Sequence, residues 1–333
     1  MLKRILLLLC VCVVSAAAFA AYDITTFLKS PLTPENKPFE LHINQGDTIR
    51  GIAGNLSQAG LLSRPLWWEL YARYDGSARS IKTGEYPLTT SITPVELLNQ
   101  LQVSKQKQFA FTILEGWNIW QLRDALAAND VIVHTMQGIE DGNVMQFIGA
   151  QPGHPEGQFL PDTYHFPKGT TDAQFLLRAH QALQSQLERV WASRQNDIPV
   201  NTPYEVMVMA SIIENETSVD AEREIISGVI VGRLKKGMRL QMDPTVIYGI
   251  GKQFNGNITR KDLQTKTAYN TYKIDGLPPT PIAMPSARSL EAAVNPADTK
   301  ALYFVADGTG GHVFNETVEE HNKAVRKYIL KKN

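Results

Sequence analysis

The longest uninterrupted apolar pattern in the chain is its first. Ile5 to Ala21 is broken only by Ser15 and is preceded by Lys3 and Arg4, the basic flank and hydrophobic stretch of an export signal. At ~1.5 Å per residue the run makes roughly 26 Å of helix, slightly short of a ~30 Å bilayer core. Ala18-Phe19-Ala20 fits an A-x-A cleavage site, so a cleaved signal and a retained single-span anchor both satisfy the pattern. Leu7-Leu8-Leu9-Cys10 is a poor lipobox, because the residue before such a cysteine should be small. The basic N-terminal flank puts that end in the cytoplasm and everything after Tyr22 outside.

Residues 23–37 are rich in proline and polar residues without a sustained period and read as a tether. A first folded domain is expected from Pro38. Phe39–Ile43 reads as a strand, Asn44-Gln45-Gly46 as a turn, and Asp47 as the cap of a helix over Thr48–Ala59. A second helix is expected around Arg64–Tyr74, a short strand near Gly84–Leu88 and a helix from Pro94 to Leu101. One internal repeat is visible: Ile43, Gly46, Ile49, Ile52, Leu56, Leu61 and Leu62 recur 70 positions later as Ile113, Gly116, Ile119, Leu122, Leu126, Val131 and Ile132. Both copies read strand, glycine turn, amphipathic helix. They are either two related small units in series or a chance recurrence of a common motif. Residues 150–170, dense in Pro, Gly and aromatics, are expected to be neither strand nor helix, serving as a buried linker or as a carbohydrate-contacting rim. Asp172–Arg194 carries the helical period.

Thr202-Pro203-Tyr204-Glu205 is a helix start with threonine as N-cap, proline at the first helical position and glutamate to close a capping box. Val206 to Ile213 then contains one polar residue, Ser211, which predicts a helix in the middle of a core. That helix ends in Glu214-Asn215-Glu216-Thr217. A buried helix delivering carboxyl groups is what a general acid requires, since desolvation raises a carboxyl pKa toward neutrality. At about 100° per residue, Glu216 falls within about 60° of Met209, Ile212 and Ile213, and Glu214 nearer Met207, Ala210 and Ser211. Because the helix is apolar nearly all round, this favours Glu216 only slightly.

Composition narrows the class. The 333 residues carry 43% hydrophobic and 20% charged side chains, with 33 basic against 33 acidic, which disfavours disorder and an electrostatically driven nucleic-acid binder. The two cysteines, Cys10 and Cys12, lie in the apolar run, so no disulfide framework or cysteine metal site exists beyond it. The seven histidines form no HExxH or other close pair, and neither a metal nor a cofactor is expected. Ser104 and Lys107 match a Ser-x-x-Lys spacing without the partner motifs it needs. Asp307-Gly308-Thr309-Gly310-Gly311 lacks a P-loop ending and reads as a hairpin turn.

The motifs SIIENETS, GRLKKGMRLQMDPTVIYGIG, TAYNTY, GLPPTPIAMP and LYFVADGTGGHVFN stand in that order over residues 108–330. In these motifs and their spacing the chain resembles the endolytic murein transglycosylases of the YceG-like family. The resemblance implies an α+β protein: a membrane segment over 1–22, a linker over 23–37, a small LysM-like module over 38–107 and a mixed α+β catalytic domain over 108–330. It also implies a single-pass protein of the inner membrane, with the bulk of the chain in the periplasm. Its implied activity is non-hydrolytic cleavage of MurNAc–GlcNAc bonds within nascent peptidoglycan strands, leaving 1,6-anhydro-MurNAc ends and terminating elongation. The partners are then glycan strands and the cytoplasmic membrane, with synthases or division proteins left open, and no nucleic acid. The implied catalytic residue is the glutamate before Ser or Thr, here Glu216. Asp243 is the candidate for a second carboxylate and is read as a turn or positioning residue. Glu214, Gln241, Asp243, Thr245, Tyr248, Tyr269, Asn270, Thr271 and Tyr272 are candidate glycan contacts. A non-catalytic peptidoglycan-binding scaffold and a hydrolytic muramidase are the rival readings.

Overall fold

The strand–glycine–helix arrangement is built twice, as the 70-residue recurrence predicts. The computed structural model describes residues 2–32, 39–44, 46–88, 91–103 and 108–330. Pro38, Gln45, residues 33–37 of the expected tether, and the pair Ser104 and Lys107 lie outside them. In the first copy β1 (Phe39–Ile43) leads through Gly46 into α2 (Ile49–Gln58), after the long helix α1 (Leu2–Lys29). In the second, β3 (Gln108–Thr112) leads through Gly116 into α5 (Ile119–Ala127). Both glycines have positive φ, 93° and 75°, a conformation that L side chains resist. Ile52, Leu56 and Leu62 in one copy and Leu122, Leu126 and Ile132 in the other are at most 3% exposed. The cap of α2 differs from expectation. Thr48 accepts the Gly51 N–H at 3.2 Å, while Asp47 turns back to accept from Asn44 N–H at 2.8 Å.

The chain divides into two compact units, Met1–Phe109 and Ala110–Asn333, with mixed α+β architecture. In the first, α3 (Pro65–Tyr74), β2 (Gly84–Leu88) and α4 (Pro94–Val103) complete the element order. Antiparallel β1 and β2 pair from Phe39 with Leu88 to Ile43 with Gly84. The core gathers around Trp68, Tyr86 and Leu98. α1 is long and apolar enough over Cys10–Lys29 to cross a membrane. It also runs further than its sequence suggests: residues 23–29 of the stretch read as a tether are helical. The cause is tertiary, since Phe27 and Leu28 are buried in the core of this unit.

The second unit continues with α6 (Val144–Phe147), β4 (Thr163–Pro167), α7 (Asp172–Ala192), α8 (Pro203–Glu216), α9 (Asp220–Lys235), α10 (Asp243–Ile250), α11 (Arg260–Gln264), α12 (Ala287–Val294), β5 (Tyr303–Ala306), β6 (His312–Asn315) and α13 (Val318–Ala324). β3 pairs with β4, so residues 150–170 do contain a strand, contrary to expectation. Tyr164 and Phe166 point inward from it while Thr163 and His165 are exposed. With Phe159 fully buried, this segment is an internal support and not an exposed aromatic rim. β5 and β6 form the hairpin expected around residues 307–311.

α8 is the axis of this unit, enclosed by α7, α9, α10 and α12. Every residue from Val206 to Ile213 is buried, as its composition predicts. Thr202 caps Glu205 N–H at 3.2 Å, but the reciprocal arm reaches Asn201 N–H and not the cap residue. The lone polar residue of the run, Ser211, donates to Val208 O at 2.7 Å and accepts the Ile282 N–H at 3.0 Å. Ser211→Ala leaves that buried N–H unpaired, and the expected cost is ~1–3 kcal/mol, read as a lower urea midpoint with unchanged slope.

Candidate active site

The C-terminal turn of α8 sends its two glutamates to different tasks. Glu214 has a side chain only 5% exposed and meets Arg223 Nη1 of α9 at 3.2 Å. Its other oxygen accepts from Ser286 N–H at 2.8 Å and from the Ser286 hydroxyl, at the N-cap of α12. All of this fixes Glu214 as a buried tie between three helices.

Glu216 lies two residues on, and its Oε2 is closed off from solvent without a hydrogen-bond partner. Burial, reinforced by the negative charge of Asp243, pushes its pKa up to about 8. Unpaired buried carboxylates are costly, so the group keeps its proton near neutrality. It borders a cavity of ≈ 580 Å³ whose walls are Glu115, Gly116 and Trp117 on one side and residues 214–218, Asp220, Arg223 and Arg288 on the other.

Gly116 shows why that wall sits so close. A Cβ on it would stand 2.9 Å from Asn215 Oδ1, in addition to the strain of its positive φ. Its N–H donates to Met284 O at 3.0 Å, and Met284 N–H donates back to Trp117 O at 2.6 Å. The β3–α5 turn is thereby clamped onto the segment 277–286. Beyond Glu216, Thr217 donates to Glu222 Oε2 at 2.9 Å. Glu222 in turn takes His312 N–H at 2.7 Å and faces His312 Nδ1 at 2.8 Å. The hairpin thus holds the residue that follows Glu216.

The other sequence-predicted residues fall into three groups. Asp243, at the start of α10, is exposed and accepts the Tyr272 hydroxyl at 2.7 Å. Tyr272 has its pKa raised by burial, by that hydrogen bond and by the charges of Asp243 and Glu216. Gln241, also exposed, holds φ at 55°, uncommon for a residue with a Cβ. It is fixed by its own N–H on Thr271 O at 3.2 Å and by Arg233 Nη1 on its side-chain oxygen at 3.3 Å. Asp243 and Tyr272 are near enough to Glu216 for their charges to act on one another, while Gln241 is tied to Arg233 and Thr271, and none of the three lines the cavity beside Glu216.

Tyr248 and Tyr269 form a second group, edge to face at 4.7 Å, with Trp120 stacked on Tyr248 at 5.4 Å. Their hydroxyls are committed, Tyr248 to Glu156 at 3.0 Å and Tyr269 to Thr280 at 2.9 Å. Thr245, Asn270 and Thr271 are at most 1% exposed. Thr245 and Thr271 bond one another at 2.8 Å. Asn270 Nδ2 spans the carbonyls of Asp262, Leu263 and Thr265. These three carry the loop that presents Tyr272 and do not reach the surface.

Glu156 is a buried carboxyl group that sequence reasoning missed. It is 0% exposed and accepts from Ile119 N–H at 3.1 Å, Gly157 N–H at 3.2 Å and Tyr248. Burial outweighs these bonds and raises its pKa to about 7. A Cβ on Gly157 would lie 2.4 Å from Pro281 Cβ. The Pro281 contact that buries this pair comes from more than 120 residues downstream, so no local pattern announces it. A second cavity, of ≈ 260 Å³, lies by Trp120, Arg123 and Lys252 and holds none of the predicted residues. Among the described residues no group of His, Cys, Asp or Glu could hold a metal.

The chain is similar to known proteins over most of its length. The sequence model of the YceG-like family matches residues 41–327. A Bacillus subtilis protein named endolytic murein transglycosylase is 31% identical over 92% of this chain and 90% of its own length. A Streptococcus pneumoniae protein of the same name is 25% identical over 96% of this chain, which spans 63% of that longer protein. The crystal structure of a YceG-like protein from Listeria monocytogenes superposes with a TM-score of 0.53 at 27% identity, covering 86% of this chain and 99% of that one. A family model that matches residues 41–327, running through both units, and a relative 31% identical over 92% of the chain lead to one assignment: this chain belongs to the YceG-like family.

Proposed function

We propose that this protein is an endolytic murein transglycosylase in which Glu216 acts alone as acid and then base. The observation that carries the reading is the Oε2 atom of Glu216, buried without a partner beside an open cavity. With a pKa pushed up to about 8, the side chain holds a proton at neutral pH and can donate it to the glycosidic oxygen between MurNAc and GlcNAc. The N-acetyl group of the substrate stabilises the positive charge that develops at C1. The carboxylate left behind takes the proton of the C6 hydroxyl as that oxygen attacks C1. The bond to the leaving sugar breaks, an intramolecular C1–O6 bond forms, the proton returns to Glu216 and no water is consumed. The product is a 1,6-anhydro-MurNAc end.

Gln241, Asp243 and Tyr272 are then glycan contacts around the acid, and Asp243 also raises its pKa. Tyr248 and Tyr269 offer ring surface, with Glu156 as their support. Residues 38–107 would hold the strand as a LysM-like module and 108–330 would cut it. The helix α1 anchors the chain in the inner membrane with the rest outside it, where cleavage of nascent strands stops their elongation and synthases or division proteins are within reach.

Digestion of intact sacculi, with products read by mass, tests the reading. Wild type is expected to release anhydro-ended fragments and Glu216→Gln at least about 100-fold fewer in the same time. Reducing ends, one water heavier, would instead mark a hydrolase using Asp243 as its second carboxylate. Unchanged release by Glu216→Gln would mark a different catalytic group. Because the first step needs the protonated acid, kcat/KM is expected to fall as pH rises through about 8, whereas a rate still flat well above it would remove Glu216 from that role.

A further inference from the structure

We infer that α3 is an interfacial helix, lying with its outer face in the headgroup region of the bilayer that α1 enters. The inference rests on the reading of α1 as a membrane anchor and adds a second contact surface to it.

α3 buries one side and carries an apolar stripe on the other. Trp68 and Ala72 are fully buried in the core, yet Leu66, Leu70 and Tyr74 are 59%, 47% and 90% exposed. Spaced four and eight apart, these three form one stripe along the helix. Two leucines and a tyrosine in line are unlike the scattered single apolar residues that any surface carries.

The position of the stripe selects its occupant. Trp67, on the same helix, donates its indole N–H to Asp23 Oδ2 at 3.0 Å, and Arg64 Nε lies 3.5 Å from the same oxygen. Asp23 is where α1 changes character. On its N-terminal side Val11, Val13, Val14, Phe19 and Tyr22 are exposed apolar residues, while on the other side Phe27 and Leu28 are packed into the core. The apolar run from Ile5 to Ala21 measures roughly 26 Å as a helix, close to the thickness of a bilayer's hydrocarbon core, with Tyr22 at its end. Asp23 therefore stands at the water boundary, and one hydrogen bond from it α3 begins. Tyr22, Trp67 and Tyr71 are aromatics of the type enriched at this depth, while Arg64 and Arg73 at the ends of the stripe are paired with Asp23 and Glu69. A bilayer adjoins this position whenever the anchor is inserted, so it is the partner the position favours over another protein.

Electron paramagnetic resonance of the full chain in phosphatidylethanolamine–phosphatidylglycerol liposomes tests this. Nitroxides are placed one at a time through Leu66→Cys, Leu70→Cys and Lys300→Cys in a chain carrying Cys10→Ser and Cys12→Ser. A fourth sample keeps native Cys12 as the labelled site, with Cys10→Ser. Collision with oxygen relative to a water-soluble nickel chelate is expected to be several-fold higher at 66 and 70 than at the exposed residue 300. Water-like ratios at 66 and 70 with a lipid-immersed Cys12 would overturn the inference and leave the anchor standing. A water-like Cys12 would overturn both. Shielding of 66 and 70 from both reagents would mark a protein partner on this face and overturn it as well.

Discussion

Glu216→Gln is expected to lose roughly 10²–10⁴-fold in turnover and to become more stable, with the gain growing as pH rises. The loss follows from removing the one group that gives and then takes a proton in the proposed reaction. The gain follows from linkage. The glutamate is held at about 8 in the folded protein against 4.5 for an ordinary glutamate. Below the lower value both states carry the proton. Between the two values only the folded state keeps it, so the unfolded chain gains by ionising and stability falls with increasing pH. Glutamine has nothing to ionise and escapes this penalty. Because Glu216 as a whole residue keeps some contact with water, solvent screening limits the gain to roughly 1–3 kcal/mol near pH 8. Urea unfolding of both proteins at pH 5 and pH 8 measures it. Equal midpoints at the two pH values would mean that the carboxyl is not desolvated, removing the physical basis of the acid.

The second large effect concerns the neighbouring glutamate. Arg223→Ala is expected to destabilise by ~3–5 kcal/mol, because Glu214 is left as a buried charge without its counter-ion. The arginine also donates to Ser289 Oγ at 2.5 Å and meets Asp220 at 3.3 Å, so its loss loosens α8, α9 and α12 together. The double variant Glu214→Gln/Arg223→Met is expected to cost less than the single one, since no charge remains in the interior. If the double variant proves as damaging as Arg223→Ala, shape and not charge holds this junction.

Much of the framework was legible because it is local. The repeat, the buried α8 and the 307–311 hairpin each follow from periodicity, a cap or a glycine within a few residues. The features that were not legible depend on distant contacts. Residues 23–29 look polar enough to be a tether, but Phe27 and Leu28 find a core and Asp23 finds Trp67. β4 alternates Tyr164 and Phe166 inward, a signal hidden among prolines and glycines. At the site, Glu216 could be chosen over Glu214 only weakly from helical geometry. Their different surroundings depend on distant residues: Arg223 and Ser286 occupy Glu214, whereas Glu216 Oε2 is buried without a partner. Thr245, Asn270 and Thr271 show the limit of motif reading. Polar residues in a motif can serve the backbone as readily as a ligand, and here each is buried and bonded internally.

The unbroken course of α1 into the first unit makes it a mast and not a rope. A helix transmits rotation, so one residue inserted between Tyr22 and Asp23 would swing that unit by about 100° about the mast and raise it by ~1.5 Å, whereas four would nearly restore its heading. Dependence on such insertions should therefore be periodic, where a slack leash would give a smooth one.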